Sequence, residues 1–73
     1  MDAYLISLCQ DYVQLIDDAL SGAFSVAEIH ELDSQRQSVH LELCRITGRS
    51  HNDPEMYGYA RAVCLAARGS NYQ

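Results

Sequence analysis

His40 and Cys44 have the residue types and the spacing to do chemistry together. They lie four residues apart, so on one helix both side chains point the same way, which suits two ligands of a single zinc ion. A zinc site needs further ligands, and the remaining candidates, Cys9, His51 and Cys64, belong to no paired-cysteine motif. We therefore favour a core cysteine beside a surface histidine, and we expect neither a metal nor a cofactor.

Covalent catalysis by Cys44 is the second chemistry to consider. A cysteine nucleophile needs a base and an electropositive, partly open setting. His40 and Arg45 are near in sequence, but neighbours on a small helical bundle seldom enclose a substrate. The chain has no phosphate-binding glycine loop, nucleophile elbow or paired-carboxylate motif. We expect a protein that is not an enzyme.

The segment 25–48 predicts the helix around which the chain is organised. Ser25 and Glu28 have the spacing of a capping box, and Gly48 is a typical helix stop. Between them, six positions recur at alternating steps of three and four, which is the spacing of a narrow seam, and five of the six are apolar. The apolar residues are Ile29, Leu32, Val39, Leu43 and Ile46.

Arg36 interrupts this seam at the centre of the polar run DSQRQS. Two interpretations stay open. In the first, Arg36 lays its methylenes on the seam and pairs with an acid on the neighbouring helix, for which Asp11 is the candidate. In the second, the polar centre is a recognition surface.

Two further helices complete an all-α prediction. Asp2 caps a first helix that ends at Ser21 and Gly22, while Asp53 and Pro54 begin a third helix and Gly69 ends it. The predicted helices span about 2–20, 26–47 and 54–68. Helix 1 carries two apolar seams, so it should have two neighbours. We expect a long antiparallel hairpin with a shorter third helix packed across it, a small three-helix bundle in one domain over 1–73.

The bulk composition limits the class of protein. The 73 residues are 48% hydrophobic and 21% charged, which favours a folded domain close to the lower size limit for folding alone. A dimer is therefore expected. The three cysteines, Cys9, Cys44 and Cys64, are widely spaced among apolar neighbours, which indicates buried free thiols in a reducing compartment. No apolar run reaches the roughly 18 residues of a membrane span. We expect a cytoplasmic protein that does not enter a membrane.

Charge is distributed unevenly along the chain. Residues 1–35 hold seven acids and no base, whereas residues 36–73 hold five arginines and three acids. The two parts therefore carry −7 and +2, in agreement with the net charge of −5. Such polarity favours packing of the two parts against each other, within one chain or between chains.

Protein binding is the leading functional hypothesis. Leu41, Tyr57 and Leu65 are not used by the predicted core, and together they could form an apolar patch ringed by arginines, a composition that suits an interface. The candidate partner-binding residues are Arg36, Leu41, Arg45, Tyr57, Arg61, Leu65 and Arg68. The expected role is an adaptor or inhibitor that occupies a surface of a larger protein, in the manner of a phage or plasmid accessory regulator, and a homodimer through this patch is the plainest arrangement.

A small helix-turn-helix-like nucleic-acid binder is the alternative. It would use Arg49, Arg61 and Arg68 on and before the last helix. Three features disfavour it, namely the acidic net charge, a connection longer than the usual three or four residues, and only five bases to neutralise phosphates. Imitation of DNA by the acidic part and a purely structural, self-assembling subunit are further possibilities.

Overall fold

The computed structural model describes residues 2–70, which form three α-helices and no strand. Helix α1 spans Ala3–Leu20, α2 spans Val26–Thr47 and α3 spans Met56–Ser70. The all-α prediction is confirmed. Within residues 2–70, none of the helices combines the length and apolarity that a membrane crossing requires.

The predicted N-terminal caps of the first two helices are present. The Asp2 side chain accepts a hydrogen bond from the Tyr4 backbone N–H at 2.9 Å. At the start of α2, Ser25 N–H donates to Glu28 Oε1 at 2.8 Å, and Glu28 N–H donates to Ser25 Oγ at 3.2 Å. Each bond satisfies a donor that the first turn of a helix leaves unpaired.

Glycines end the first two helices as predicted. Gly22 and Gly48 have φ of 77° and 76°, a left-handed conformation that costs a residue with a Cβ atom more than it costs glycine. The Gly48 N–H donates to the Cys44 carbonyl at 2.9 Å. The chain therefore turns sharply after Leu20, which returns α2 alongside α1, and turns again after Thr47, before α3.

The predicted ends of α3 are wrong at both termini. Asp53 Oδ1 accepts from Glu55 N–H at 2.9 Å, but this bond stabilises a turn over residues 53–55, and the helix itself begins at Met56. Gly69 does not adopt a positive φ, so the helix continues through it to Ser70. Glycine permits a helix stop but does not impose one.

Helix α1 is the central element of the bundle. It packs against both α2 and α3, and α3 packs mainly on α1 and only slightly on α2. Helix α1 therefore has two neighbouring helices, as predicted. The buried core comes from all three helices and consists of Cys9, Tyr12, Leu43, Cys44, Met56, Ala60 and Val63.

The core occupies one end of the molecule. Of the seam predicted on α2, only Leu43 is buried, while Ile29 and Leu32 are half-buried. The two core residues that α2 contributes, Leu43 and Cys44, both lie near its C-terminal end. The other end is a two-helix tip, where Leu20 and Val26 are 80% and 74% exposed.

Candidate functional site

An open groove of about 760 Å³ runs between α1 and α3. Its α1 wall presents Ile6 and Val13 with the polar side chains of Gln10, Gln14 and Asp17. This volume lies within the range of about 300–1,000 Å³ that is typical of small-molecule pockets, although the groove is open to solvent.

The α3 wall is cationic with an apolar centre. Arg61, Leu65 and Arg68 line it at steps of four and three residues, so they lie on one helix face. Cys64 and Ala67 complete the wall. Leu65 is 56% exposed, and both arginines are exposed. A large apolar side chain therefore lies open to solvent between two guanidinium groups.

A polar bridge joins the two helices beside the groove. Tyr57 Oη donates a hydrogen bond to Asp17 Oδ1 at 2.7 Å, and Arg61 Nη1 donates to Tyr57 Oη at 3.1 Å. The guanidinium carbon of Arg61 lies 5.8 Å from the centroid of the Tyr57 ring, within cation–π range. The bridge orders Tyr57 and Arg61 and holds a carboxylate within the groove.

The structure brings together part of the predicted patch. Arg61, Leu65 and Arg68 line the groove, and Tyr57 reaches it through Asp17. The other three candidates, Leu41, Arg36 and Arg45, lie on α2 and do not line this groove. Leu41 is 45% exposed, so the prediction that it projects away from the core is confirmed.

Arg36 pairs within its own helix, so the prediction of Asp11 as its partner is wrong. Arg36 Nε and Nη2 both lie 3.0 Å from Asp33 Oδ1. Asp33 is one turn earlier on the same helix, so the guanidinium reaches it without crossing to α1. Asp11 is exposed on α1. The Arg36 side chain is itself 32% exposed, and an exposed local pair of this kind contributes little to stability.

Arg45 belongs to a polar cluster at the α1–α2 interface. Its guanidinium forms two hydrogen bonds with Glu42, at 2.6 and 2.8 Å. Tyr4 Oη donates to Glu42 Oε2 at 2.6 Å, which ties the start of α1 to the end of α2. The Arg45 and Tyr4 hydrogen bonds lower the pKa of Glu42 to about 2.

This lowered pKa predicts a loss of stability in acid. Because the pKa of Glu42 falls from 4.5 to about 2 on folding, its contribution to the free energy of unfolding is complete above pH 4.5 and disappears as the pH falls toward 2. Urea denaturation gives the free energy of unfolding of the wild type and of Glu42→Gln. The difference between the two should become smaller as the pH is lowered from about 5 to about 2.5. A difference that stays constant over this range would contradict the prediction.

Arg49, the third arginine of the nucleic-acid hypothesis, is already engaged. Its Nη1 donates to Asp53 Oδ2 at 2.6 Å, and its guanidinium carbon lies 4.2 Å from the centroid of the Tyr59 ring. The Glu55 backbone N–H and then Arg49 lower the pKa of Asp53. Arg49 thus faces a fixed negative charge.

The three cysteines are free, but they are not equally buried. Cys9 is fully buried, and burial, with a smaller contribution from Cys64, raises the pKa of its thiol to about 11. Cys44 is also buried, and its Sγ lies 3.5 Å from the Ser50 carbonyl oxygen. The prediction of a buried thiol is wrong for Cys64, which is half-buried and lines the groove.

His40 lies in a hydrogen-bond chain that the spacing with Cys44 did not indicate. Its Nδ1 is 3.0 Å from Tyr12 Oη, and its Nε2 is 2.8 Å from the His51 carbonyl oxygen. A carbonyl only accepts, so Nε2 carries a proton, and in the neutral ring Nδ1 accepts from the tyrosine hydroxyl. Both ring nitrogens therefore have partners within the protein. The sequence did carry one signal for this contact. Tyr12 lies in an apolar seam of α1, and the hydroxyl of a buried tyrosine usually needs a hydrogen-bond partner.

No set of three His, Cys, Asp or Glu side chains converges as a metal site would require, as far as residues 2–70 are concerned. The arrangement that the structure does offer is the groove, whose lining mixes apolar side chains with glutamines, Asp17 and two arginines. Comparisons with known proteins identify no matching family model, no matching curated protein and no matching solved structure.

Proposed function

We propose that this chain is a non-enzymatic protein-binding module, an adaptor or inhibitor, whose docking surface is the α1–α3 groove. The observation that carries the proposal is Leu65, 56% exposed between Arg61 and Arg68 in a groove of about 760 Å³. Apolar anchors bordered by arginine are the composition that concentrates binding energy at interfaces.

The groove suits an amphipathic helix from the partner. Its walls are two helices, so a third helix laid along them would bury its apolar face against Ile6, Val13 and Leu65, the helix-in-groove mode of recognition. Arg61 and Arg68 are seven residues apart, which is about 10 Å along a helix. A partner helix with carboxylates two turns apart would match this spacing.

Charge favours a protein partner over nucleic acid. Asp17 lies within the groove, where its carboxylate would repel a phosphate backbone. Arg49 faces Asp53 at 2.6 Å, which leaves Arg61 and Arg68 as the groove's cations. Two cations beside a carboxylate are a weak basis for binding a polyanion.

The test is capture from the source organism's soluble proteome with matched variants. Arg61→Gln with Arg68→Gln removes both groove guanidiniums, whereas Arg36→Gln with Arg45→Gln makes the same charge change on α2. We expect the groove variant to lose capture of the partner by about ten-fold or more, equivalent to about 1.4 kcal/mol. The α2 variant should retain it.

Two results would contradict the proposal. The first is equal loss in both double variants once circular dichroism shows that both are folded. The second is a DNA or RNA gel shift at low salt that Arg61→Gln with Arg68→Gln abolishes, which would instead support the nucleic-acid alternative.

A further inference from the structure

We propose that the α1–α3 groove of one copy receives the hairpin tip of a second copy, where the hairpin tip is residues 18–33. This inference rests on the proposed function, because it names an occupant of the same groove. The partner is thus another molecule of this chain, held by apolar contact and by opposite charge.

The hairpin tip has the chemistry that the groove requires. Leu20 and Val26 are the most exposed large apolar side chains of the described residues, at 80% and 74%. Asp18, Glu28 and Glu31 add carboxylates around them, and the tip contains no Lys or Arg. The tip therefore combines an apolar surface with negative charge. The groove combines Leu65 with two arginines and one carboxylate, Asp17, which already accepts a hydrogen bond from Tyr57 Oη, so its formal charges sum to +1.

Ion pairing within the chain does not use up this complementarity. Among residues 2–70 the salt bridges are Arg36–Asp33, Arg45–Glu42 and Arg49–Asp53. Each joins residues three or four positions apart, and none joins the tip to α3. Within residues 2–70, Arg61 and Arg68 are therefore the two arginines that form no salt bridge, and they are the charges available for contact between copies.

Helix geometry prevents the tip from reaching its own groove. The groove follows α1 from Ile6 to Asp17, and the tip begins at the next residue of the same continuous helix. A straight helix cannot fold back on itself, so the contact must be intermolecular. Tip against tip would oppose carboxylates and groove against groove would oppose arginines, so the favoured contact is tip against groove. A closed two-fold dimer would contain two such contacts. In an open assembly each copy would place its tip in the groove of the next copy.

The experiment is light scattering of the full chain in about 0.05 M and about 0.5 M salt, at several protein concentrations. Three double variants accompany the wild type. The tip variant is Leu20→Arg with Glu31→Gln, the groove variant is Arg61→Gln with Arg68→Gln, and the control, with the same charge change as the tip variant, is Gln37→Arg with Leu41→Arg. The wild type and the control should exceed the monomer mass of 8.2 kDa at low salt and approach it at high salt.

The decisive sample is an equimolar mixture of the tip and groove variants. Each variant alone should stay at 8.2 kDa, and the mixture should form a species of twice that mass, because one intact tip then meets one intact groove. A monomeric wild type at every concentration, a mixture that stays monomeric, or a control that also fails to associate would each overturn the inference.

Failure here is distinguishable from failure of the proposed function. The tip variant keeps an intact groove, so it should still capture a different partner protein from the proteome. Capture by the tip variant together with a monomeric wild type would reject the second copy as occupant and retain the groove as a docking surface. If neither the wild type nor the tip variant captures a protein in a way that depends on Arg61 and Arg68, the docking function itself is rejected.

Discussion

Replacing Leu43 with alanine should lower the free energy of unfolding by about 3 kcal/mol, within the range of about 2–5 kcal/mol for a buried leucine. Leu43 is fully buried, and it is one of the largest side chains in a core of seven residues. The substitution removes apolar surface from the core and leaves a cavity that rigid neighbouring helices fill only in part. In so small a domain this is a large share of the total stability.

Leu41 provides the matched control, since it is the same residue type two positions earlier on the same helix. It is 45% exposed, so Leu41→Ala should cost less than about 1 kcal/mol. Urea denaturation at equal protein concentrations measures both, because any self-association adds to the apparent stability. Equal losses in the two variants would contradict the placement of the core.

Removing the His40 side chain should also destabilise the fold, by about 1–3 kcal/mol, because it leaves a buried hydroxyl without its partner. Tyr12 is only 4% exposed, and its hydroxyl lies 3.0 Å from His40 Nδ1. His40→Ala removes that partner, whereas the carbonyl of exposed His51 can bind water instead.

A double-mutant cycle with Tyr12→Phe isolates this hydrogen bond. Tyr12→Phe removes the hydroxyl itself, so His40→Ala should cost less in that background, with a coupling free energy of about 1 kcal/mol. Denaturation of the wild type, both single variants and the double variant measures the cycle. Additive effects would show that the contact between Tyr12 and His40 contributes nothing to stability.

The local signals in the sequence predicted the helices well. Ser25 with Glu28, Asp2, Gly22 and Gly48 each do what their residue type and spacing indicate, because capping depends on a few neighbouring atoms. Gly69 is the counterexample. Nothing in its immediate sequence forces the left-handed turn, and the helix continues.

Contacts between helices were harder to predict. A seam of alternating steps shows which face of α2 is apolar, but not how much of that face its neighbours cover, and Ile29 and Leu32 in this seam are half-buried. The antiparallel hairpin predicted from the sequence places Arg36 beside Asp11. The nearer Asp33, one turn away on the same helix, forms the pair at 3.0 Å.

The groove could be predicted only in part. Its α3 wall follows from the spacing of Arg61, Leu65 and Arg68, which the sequence places on one face. Its α1 wall includes Gln10 and Gln14, which periodicity alone assigns to the solvent side. The angle at which α3 packs on α1 determines which polar residues flank a groove, and that angle depends on packing across the whole core.

Site-specific photo-crosslinking tests the groove as a docking surface most directly. A photoreactive amino acid replaces Leu65 within the groove or, as the control, Leu41 on α2, and the full chain is irradiated in the source organism's soluble proteome. We predict a defined protein adduct at position 65 that disappears when Arg61→Gln and Arg68→Gln are added, and no such adduct at position 41. Adducts at position 41 alone, or adducts at position 65 that persist without the two arginines, would contradict the account.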